Sequence, residues 1–180
     1  MVAEKTFIEG LLVIKPRVFE DDRGYFFESY NEQQLEQAGL VAKFVQDNQS
    51  LSQKNVLRGL HFQAPPFAQG KLVRVIKGAA LDVVVDIRKN SPTYGKSFSL
   101  ELNEKNKTML WVPEGFAHGF CTLQNDTIFY YKCTNYYNKA SEGSIAWNDP
   151  ELAIKWDVKD PVLSDKDKAG IALRDFVTPF

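Results

Sequence analysis

The sequence predicts a mainly β protein, a sandwich or barrel, and three observations carry that expectation. Apolar and polar residues alternate with period two in at least eight short runs. Turn signals such as DDRG (21–24), KNSPTYGK (89–96) and VPEG (112–115) separate the runs at short spacing. Helical patterning is confined to two brief segments. Many short strands bounded by turns bury their apolar faces by stacking or closing on themselves. At 180 residues, the chain is the size of a single domain spanning 1–180 that can bury a core without disulfides or a structural metal.

Taken in order, strand-like runs are LLVIKPRVF (11–19), GYFFESY (24–30), AKFVQD (42–47), LRGLHFQ (57–63), KLVRVIKG (71–78), ALDVVVDIR (80–88), SFSLEL (97–102), TMLWVP (108–113) and DTIFYYKCTNYY (126–137). In ALDVVVDIR, Leu81, Val83, Val85 and Ile87 share one face while Asp82, Asp86 and Arg88 share the other, the pattern of a half-buried strand. One helix is expected in NEQQLEQAG, with Asn31 as cap, Leu35 and Ala38 on one face and Gly39 as stop. A second short helix or turn is expected in LSDKDKAGIALRDF, where Ser164 and Asp167 have capping-box spacing. No repeat or low-complexity tract interrupts this pattern.

Composition narrows the function classes. The chain is 44% hydrophobic and 25% charged, as a folded globular protein should be. Its formal net charge is −1, with Lys and Arg dispersed, so no phosphate-backbone footprint for nucleic acid is present. No apolar run approaches the roughly 18 residues of a membrane span, and the charged MVAEKTFIEG start lacks a hydrophobic leader core. Cys121 and Cys133 have no metal-binding or redox spacing and read as buried free thiols of a reducing compartment. A cytoplasmic location is the expectation.

Few residues can do acid–base chemistry. His61 lies in LRGLHFQ, where alternation places Arg58, Leu60 and Phe62 on one face and Gly59, His61 and Gln63 on the other. A neutral imidazole lining a barrel could take a proton, and a carboxylate on its second nitrogen would fix the tautomer. A structural histidine satisfied by a carbonyl is the alternative. His118, in VPEGFAHGF, completes a PxGxxH turn-to-strand pattern like half of a cupin metal signature. The companion stretch offers only LHFQ, so His61 and His118 with one carboxylate would be a sparse ligand set, and no metal is expected. Arg58 and Lys71 suit an anion and a developing enolate, respectively, or else a solvated strand face. Arg23 and Glu28 flank two aromatics in DDRGYFFES, which fits a nucleotide contact or plain turn chemistry. A Tyr hydroxyl in IFYYKC could be a general acid, with Phe129 and Tyr131 on one face and Ile128 and Tyr130 on the other.

As a set, DDRGYFFES, FVQDNQSLSQKNVLRGLHFQ, KLVRVIKGAALDVVVDIRKNSPTYGK, VPEGFAHGF, YYKCTNYYNKASEGSIAWNDPEL and LSDKD resemble the dTDP-4-dehydrorhamnose 3,5-epimerase family in order and spacing, from about Leu12 to Asp167. The resemblance implies a cupin-like antiparallel β-barrel (jelly roll) with a few short peripheral helices. It implies a homodimer whose nucleotide pocket is partly supplied by the partner subunit, and a cofactor-independent isomerase. The family inverts C3 and C5 of a dTDP-4-keto-6-deoxyhexose through enolates. The resemblance also implies His61 as proton acceptor, Tyr131 as donor, Lys71 as enolate stabiliser and Asp167 as the carboxylate orienting His61. Arg23, Glu28, Gln46, Asp47, Asn48, Arg58, His118, Glu142 and Lys166 match substrate-contacting positions. Rival readings are a 3-epimerase of another deoxysugar pathway, a metal-dependent cupin and a catalytically silent sugar-nucleotide binder.

Overall fold

The computed structural model describes residues 1–180. Its strands are β1 (Val2–Lys5), β2 (Leu12–Lys15), β3 (Val18–Asp21), β4 (Gly24–Phe27), β5 (Gln46–Ser52), β6 (Leu57–Gln63), β7 (Lys71–Lys77), β8 (Ala79–Asp86), β9 (Ser97–Asn103), β10 (Met109–Val112), β11 (Phe116–Thr122), β12 (Thr127–Cys133) and β13 (Glu142–Ser144). Two short helices, α1 (Glu32–Gln37) and α2 (Asp165–Lys168), complete the set with two single-turn 3₁₀ segments. No helix is long and apolar enough to cross a membrane.

A six-stranded sheet, ordered β1-β2-β10-β7-β12-β5, faces a five-stranded sheet, ordered β13-β6-β11-β8-β9, and every strand pair within them is antiparallel. This is the cupin-like jelly roll. Alternation decides what lies between the sheets. Val73 and Val75 of β7 and Phe129 of β12 meet Val84 of β8 and Phe116 and Phe120 of β11 in one buried cluster. Phe120 and Phe129 stack at 3.9 Å with an interplanar angle of 6°. Continuing the same inward faces by two residues brings Lys71 from β7 and Tyr131 from β12 to the other end of the barrel, which is polar.

The outer faces are also covered. The C-terminal strap lays Leu152 and Trp156, with Trp147, Leu163, Phe176 and Phe180, over Val83, Val85, Ala117 and Cys121. On the six-stranded side, Leu35 of α1 packs with Ile14, Leu72 and Met109. Asn31 caps α1 by accepting from the Gln34 N–H, and Gly39 follows with φ +89°, so this helix forms as its sequence predicts.

Three expectations need correction. β8 is buried on both faces rather than half-buried, because the strap covers one side and the barrel interior the other. Asp82 and Asp86 are therefore fully buried. Burial works to raise the Asp86 pKa, but Arg88 and, in the KNSPTYGK turn, Ser91 and Thr93 satisfy the carboxyl and hold it down at about 2. AKFVQD is not a strand. Pairing begins at Gln46 and runs through the polar QDNQSLS, an edge strand whose alternate residues face the cavity.

The third correction concerns β6. His61 pairs with His118, and Arg58 pairs with Phe120, so three residues of β6 span two of β11. The extra residue forms a β-bulge, which re-aims side chains. Arg58 and His61 consequently line the same cavity instead of opposite faces. Gly59 permits the close approach: its φ is +148°, and a Cβ there would stand 2.5 Å from Gly119 Cα.

Candidate active site

The polar end of the barrel encloses a cavity of about 420 Å³, walled by β6 and β11 on one side, by β5, β7 and β12 on the other, and closed by α2. His61 lies on its wall. The imidazole Nε2 lies 2.8 Å from Asp167 Oδ1, with Asp167 only 3% exposed. The contact is close but off line for a straight hydrogen bond. Such base–orienter contacts in unliganded sites commonly tighten around substrate.

Asp167 also caps α2. Its Oδ2 accepts from the Ser164 hydroxyl at 2.5 Å and from the Ser164 N–H at 3.2 Å, while Oδ1 accepts from the Gly59 N–H at 3.0 Å. Capping-box spacing and the contact with His61 are thus one device: the cap holds the carboxylate rigidly against the imidazole. Burial works to raise the Asp167 pKa, but His61, Ser164 and the Gly59 N–H outweigh it and keep the group well below the usual carboxylate range. Burial lowers the His61 pKa first. Asp167 opposes that shift, and the charges of Lys166 and Lys71 add to it, so the ring is neutral at physiological pH.

An Asp167→Asn change is expected to lower kcat by roughly a hundredfold or more, within the range for disabling a general base. Because Asp167 raises the His61 pKa, its loss moves the acidic limb of the kcat/KM profile to lower pH. Stability changes too. A carboxylate with a depressed folded pKa stabilises fully above its unfolded value, near 4, and loses that contribution as pH falls towards the folded value. The variant should lose this part of the acid sensitivity in thermal unfolding. An unmoved limb with normal kcat would rule out the orienting role.

Opposite His61, Tyr131 and Lys71 enter from the six-stranded sheet. Lys71 Nζ sits 5.9 Å from the Tyr131 ring centroid. Burial, then the neighbouring Cys133, pushes the Tyr131 hydroxyl up to about 12, so it stays protonated. Burial lowers the Lys71 ammonium below its usual value. Tyr130, on the outer face, instead donates its hydroxyl to Asp47 at 2.7 Å. Strand alternation therefore separates the two tyrosines that the sequence alone left open.

His118 lines the same cavity and places Nε2 2.8 Å from Asp82 Oδ2. Each histidine is engaged by its own aspartate, and no three His, Cys, Asp or Glu side chains converge as a metal ion requires. Gln46, Asn48, Arg58, Glu142 and Lys166 also line the cavity. Glu142 accepts from Lys166 and, at 3.3 Å, from the Tyr137 hydroxyl, linking β13, α2 and the loop after β12 at the cavity wall.

Three expected site residues lie elsewhere. Asp47 alternates outward between Gln46 and Asn48 and is held by Lys132 at 2.8 Å. Arg23 sits at the exposed β3–β4 turn, paired with Asp21, and Glu28 accepts from Asn31 and Gln34 beside α1. Tyr137, Gln63, Gln69 and Ser164, which also line the cavity, and Asp82 behind His118 were not expected as site residues from the sequence, where Ser164 read only as a helix cap. Asp82 carried a readable signal, an acid inside an apolar run, whereas Tyr137 comes to the cavity only through the loop's path.

A family model described as dTDP-4-dehydrorhamnose 3,5-epimerase matches residues 5–175. The chain is 55% identical over 172 residues to the dTDP-4-dehydrorhamnose 3,5-epimerase of Salmonella typhimurium, covering 94% of each chain. It is 53% identical over 167 residues to that of Shigella flexneri, covering 92% of each. Among solved structures, the dTDP-4-dehydrorhamnose 3,5-epimerase of Bacillus anthracis with TDP and PPi bound is 48% identical, with a TM-score of 0.93 over 95% of this chain and 98% of that one. Matched over nearly its whole length by the family model, and by relatives sharing about half its residues, the chain belongs to the dTDP-4-dehydrorhamnose 3,5-epimerase family.

Proposed function

We propose that the chain is a dTDP-4-dehydrorhamnose 3,5-epimerase that inverts C3 and C5 of dTDP-4-dehydro-6-deoxy-D-glucose, giving dTDP-4-dehydro-L-rhamnose for dTDP-L-rhamnose biosynthesis. One observation carries the reading: a histidine and a tyrosine face one cavity from opposing sheets. Inversion needs a base on one face of the sugar and an acid on the other, because a base returning its own proton restores the starting configuration.

With Asp167 on Nε2, the remaining ring nitrogen of His61 takes the proton from C3 or C5, each α to the C4 ketone. The C–H electron pair moves into the ring as an enolate, and charge develops on the ketone oxygen. Lys71 stabilises that oxyanion with its positive charge. Tyr131 then delivers its hydroxyl proton to the carbon from the opposite face, and solvent restores both groups. The carbonyl already acidifies both protons, so these side chains suffice for the chemistry.

Arg58, Lys166 and the amides of Gln46 and Asn48 suit the diphosphate and nucleotide end. Arg23 and Glu28 lie outside this chain's own cavity, which fits a homodimer in which each hairpin serves the other subunit's pocket. The test is NMR of dTDP-4-keto-6-deoxyglucose with the protein in deuterated water, without metal or nicotinamide, with a partner reductase trapping product. Deuterium at both C3 and C5 with L-rhamnose configuration is expected. Incorporation at C3 alone would reassign the chain as a 3-epimerase, and none at either carbon would overturn the reading.

A further inference from the structure

The β3–β4 hairpin stands apart from both large sheets and pairs only with itself. It exposes Phe19, Tyr25 and Phe26 and carries Arg23 at its turn. A two-stranded sheet of this length is marginal in water on its own, so something outside it must fix its position. The contact lies on the outer face of β7. Arg74 sits across the ladder from Tyr130, and its guanidinium centre is 5.4 Å from the Phe27 ring centroid and 5.6 Å from that of Tyr130.

Arg23, Arg88 and Arg174 are each paired with an aspartate, Arg58 donates to Ser52, and Arg17 lies over the Phe19 ring within the hairpin's own segment. Arg74 is held by ring faces, and its Nε is buried without a hydrogen-bond partner. A planar guanidinium can stack on rings on both its faces, which a compact ammonium cannot do. Tyr130 is itself pinned, because its hydroxyl donates to Asp47, which in turn accepts from Lys132. A second, smaller contact places Lys107 Nζ 3.7 Å from the Tyr25 ring, and Tyr25 and Phe27 lie 6.0 Å apart.

We propose that Arg74 is a positioning residue that clamps the β3–β4 hairpin to the outer face of the barrel by stacking between Phe27 and Tyr130, holding Arg23 and Glu28 ready for a second subunit's pocket. The clamp's purpose rests on the subunit-sharing reading given above. Arg74 touches neither the cavity nor the proton-transfer groups, so its effect falls on substrate binding and leaves turnover alone.

The experiment compares Arg74→Ala, Arg74→Met and Arg74→Lys by amide hydrogen exchange across residues 18–27 and by steady-state kinetics with the dTDP-sugar, with Arg23→Ala as reference. Loss of both ring contacts should speed hairpin exchange by about tenfold in the Ala and Met variants, with Lys intermediate. KM should rise while kcat stays near wild type. Unchanged hairpin exchange in both the Ala and Met variants overturns the clamp, and the Met variant keeps enough side-chain packing to guard against simple unfolding. If Arg23→Ala raises KM while the Arg74 variants do not, the positioning role is overturned. If hairpin exchange speeds up while Arg23→Ala leaves KM unchanged, the clamp is upheld and the subunit-sharing reading fails instead.

Discussion

His61→Asn is expected to abolish deuterium incorporation at both C3 and C5 while leaving the fold intact. In the proposed mechanism one imidazole serves both carbons, so its loss should remove exchange at the two positions together, by roughly 10²–10⁴-fold or more. Asparagine retains a polar side chain that can still donate to Asp167, the buried partner 2.8 Å away, but it has no group that takes up a proton. Keeping Asp167 paired matters, because a buried carboxylate left alone costs several kcal/mol. The thermal midpoint should therefore stay within a few degrees of wild type, and binding of dTDP should persist. Normal exchange at either carbon in a folded His61→Asn protein would remove His61 from the mechanism.

Tyr131→Phe should give a different signature. The phenyl ring keeps its place beside Phe129, 6.3 Å away, and beside Lys71. Only the hydroxyl is lost. His61 can still remove a proton and return one to the same face, so solvent deuterium continues to enter the substrate while net inversion falls by roughly 10²–10⁴-fold. The adjacent residue supplies the control: Tyr130→Phe loses only outward hydrogen bonds, to Asp47 and from Lys132, and should invert normally. Full inversion by Tyr131→Phe would mean that another group, or water, protonates the enolate. Exchange and inversion failing together would instead place Tyr131 in the proton-abstraction step.

How much of this was legible beforehand differs from residue to residue. The strand runs around Lys71, Leu81, Met109 and Phe129 were readable because period-two alternation is a local property, as was the Asn31 cap that starts α1. Ser164 and Asp167 were equally readable as a capping box. That the same carboxylate reaches His61, more than a hundred residues earlier in the chain, was not, since no local pattern encodes where the C-terminal strap crosses β6. The alternation rule misled at Arg58, because a bulge is defined by the mismatch between two strands and is invisible in either one alone. It misled at Asp82 and Asp86 for a related reason: polar residues on alternating positions look solvent-facing until the barrel closes over them.

By itself, then, the sequence determined the β class, the division of its regular strands into two faces and the chemical types available for catalysis, all of which follow from near-neighbour geometry. Tertiary structure decided which of those groups meet. It set His61 against Asp167 and facing Tyr131 and Lys71, turned Tyr130 and Asp47 outward, and left Arg23 on a hairpin and Glu28 beside α1, both away from the cavity. The physical reason is that a site joining two sheets depends on strand order, register and the path of a strap, which contacts between residues far apart in the chain establish.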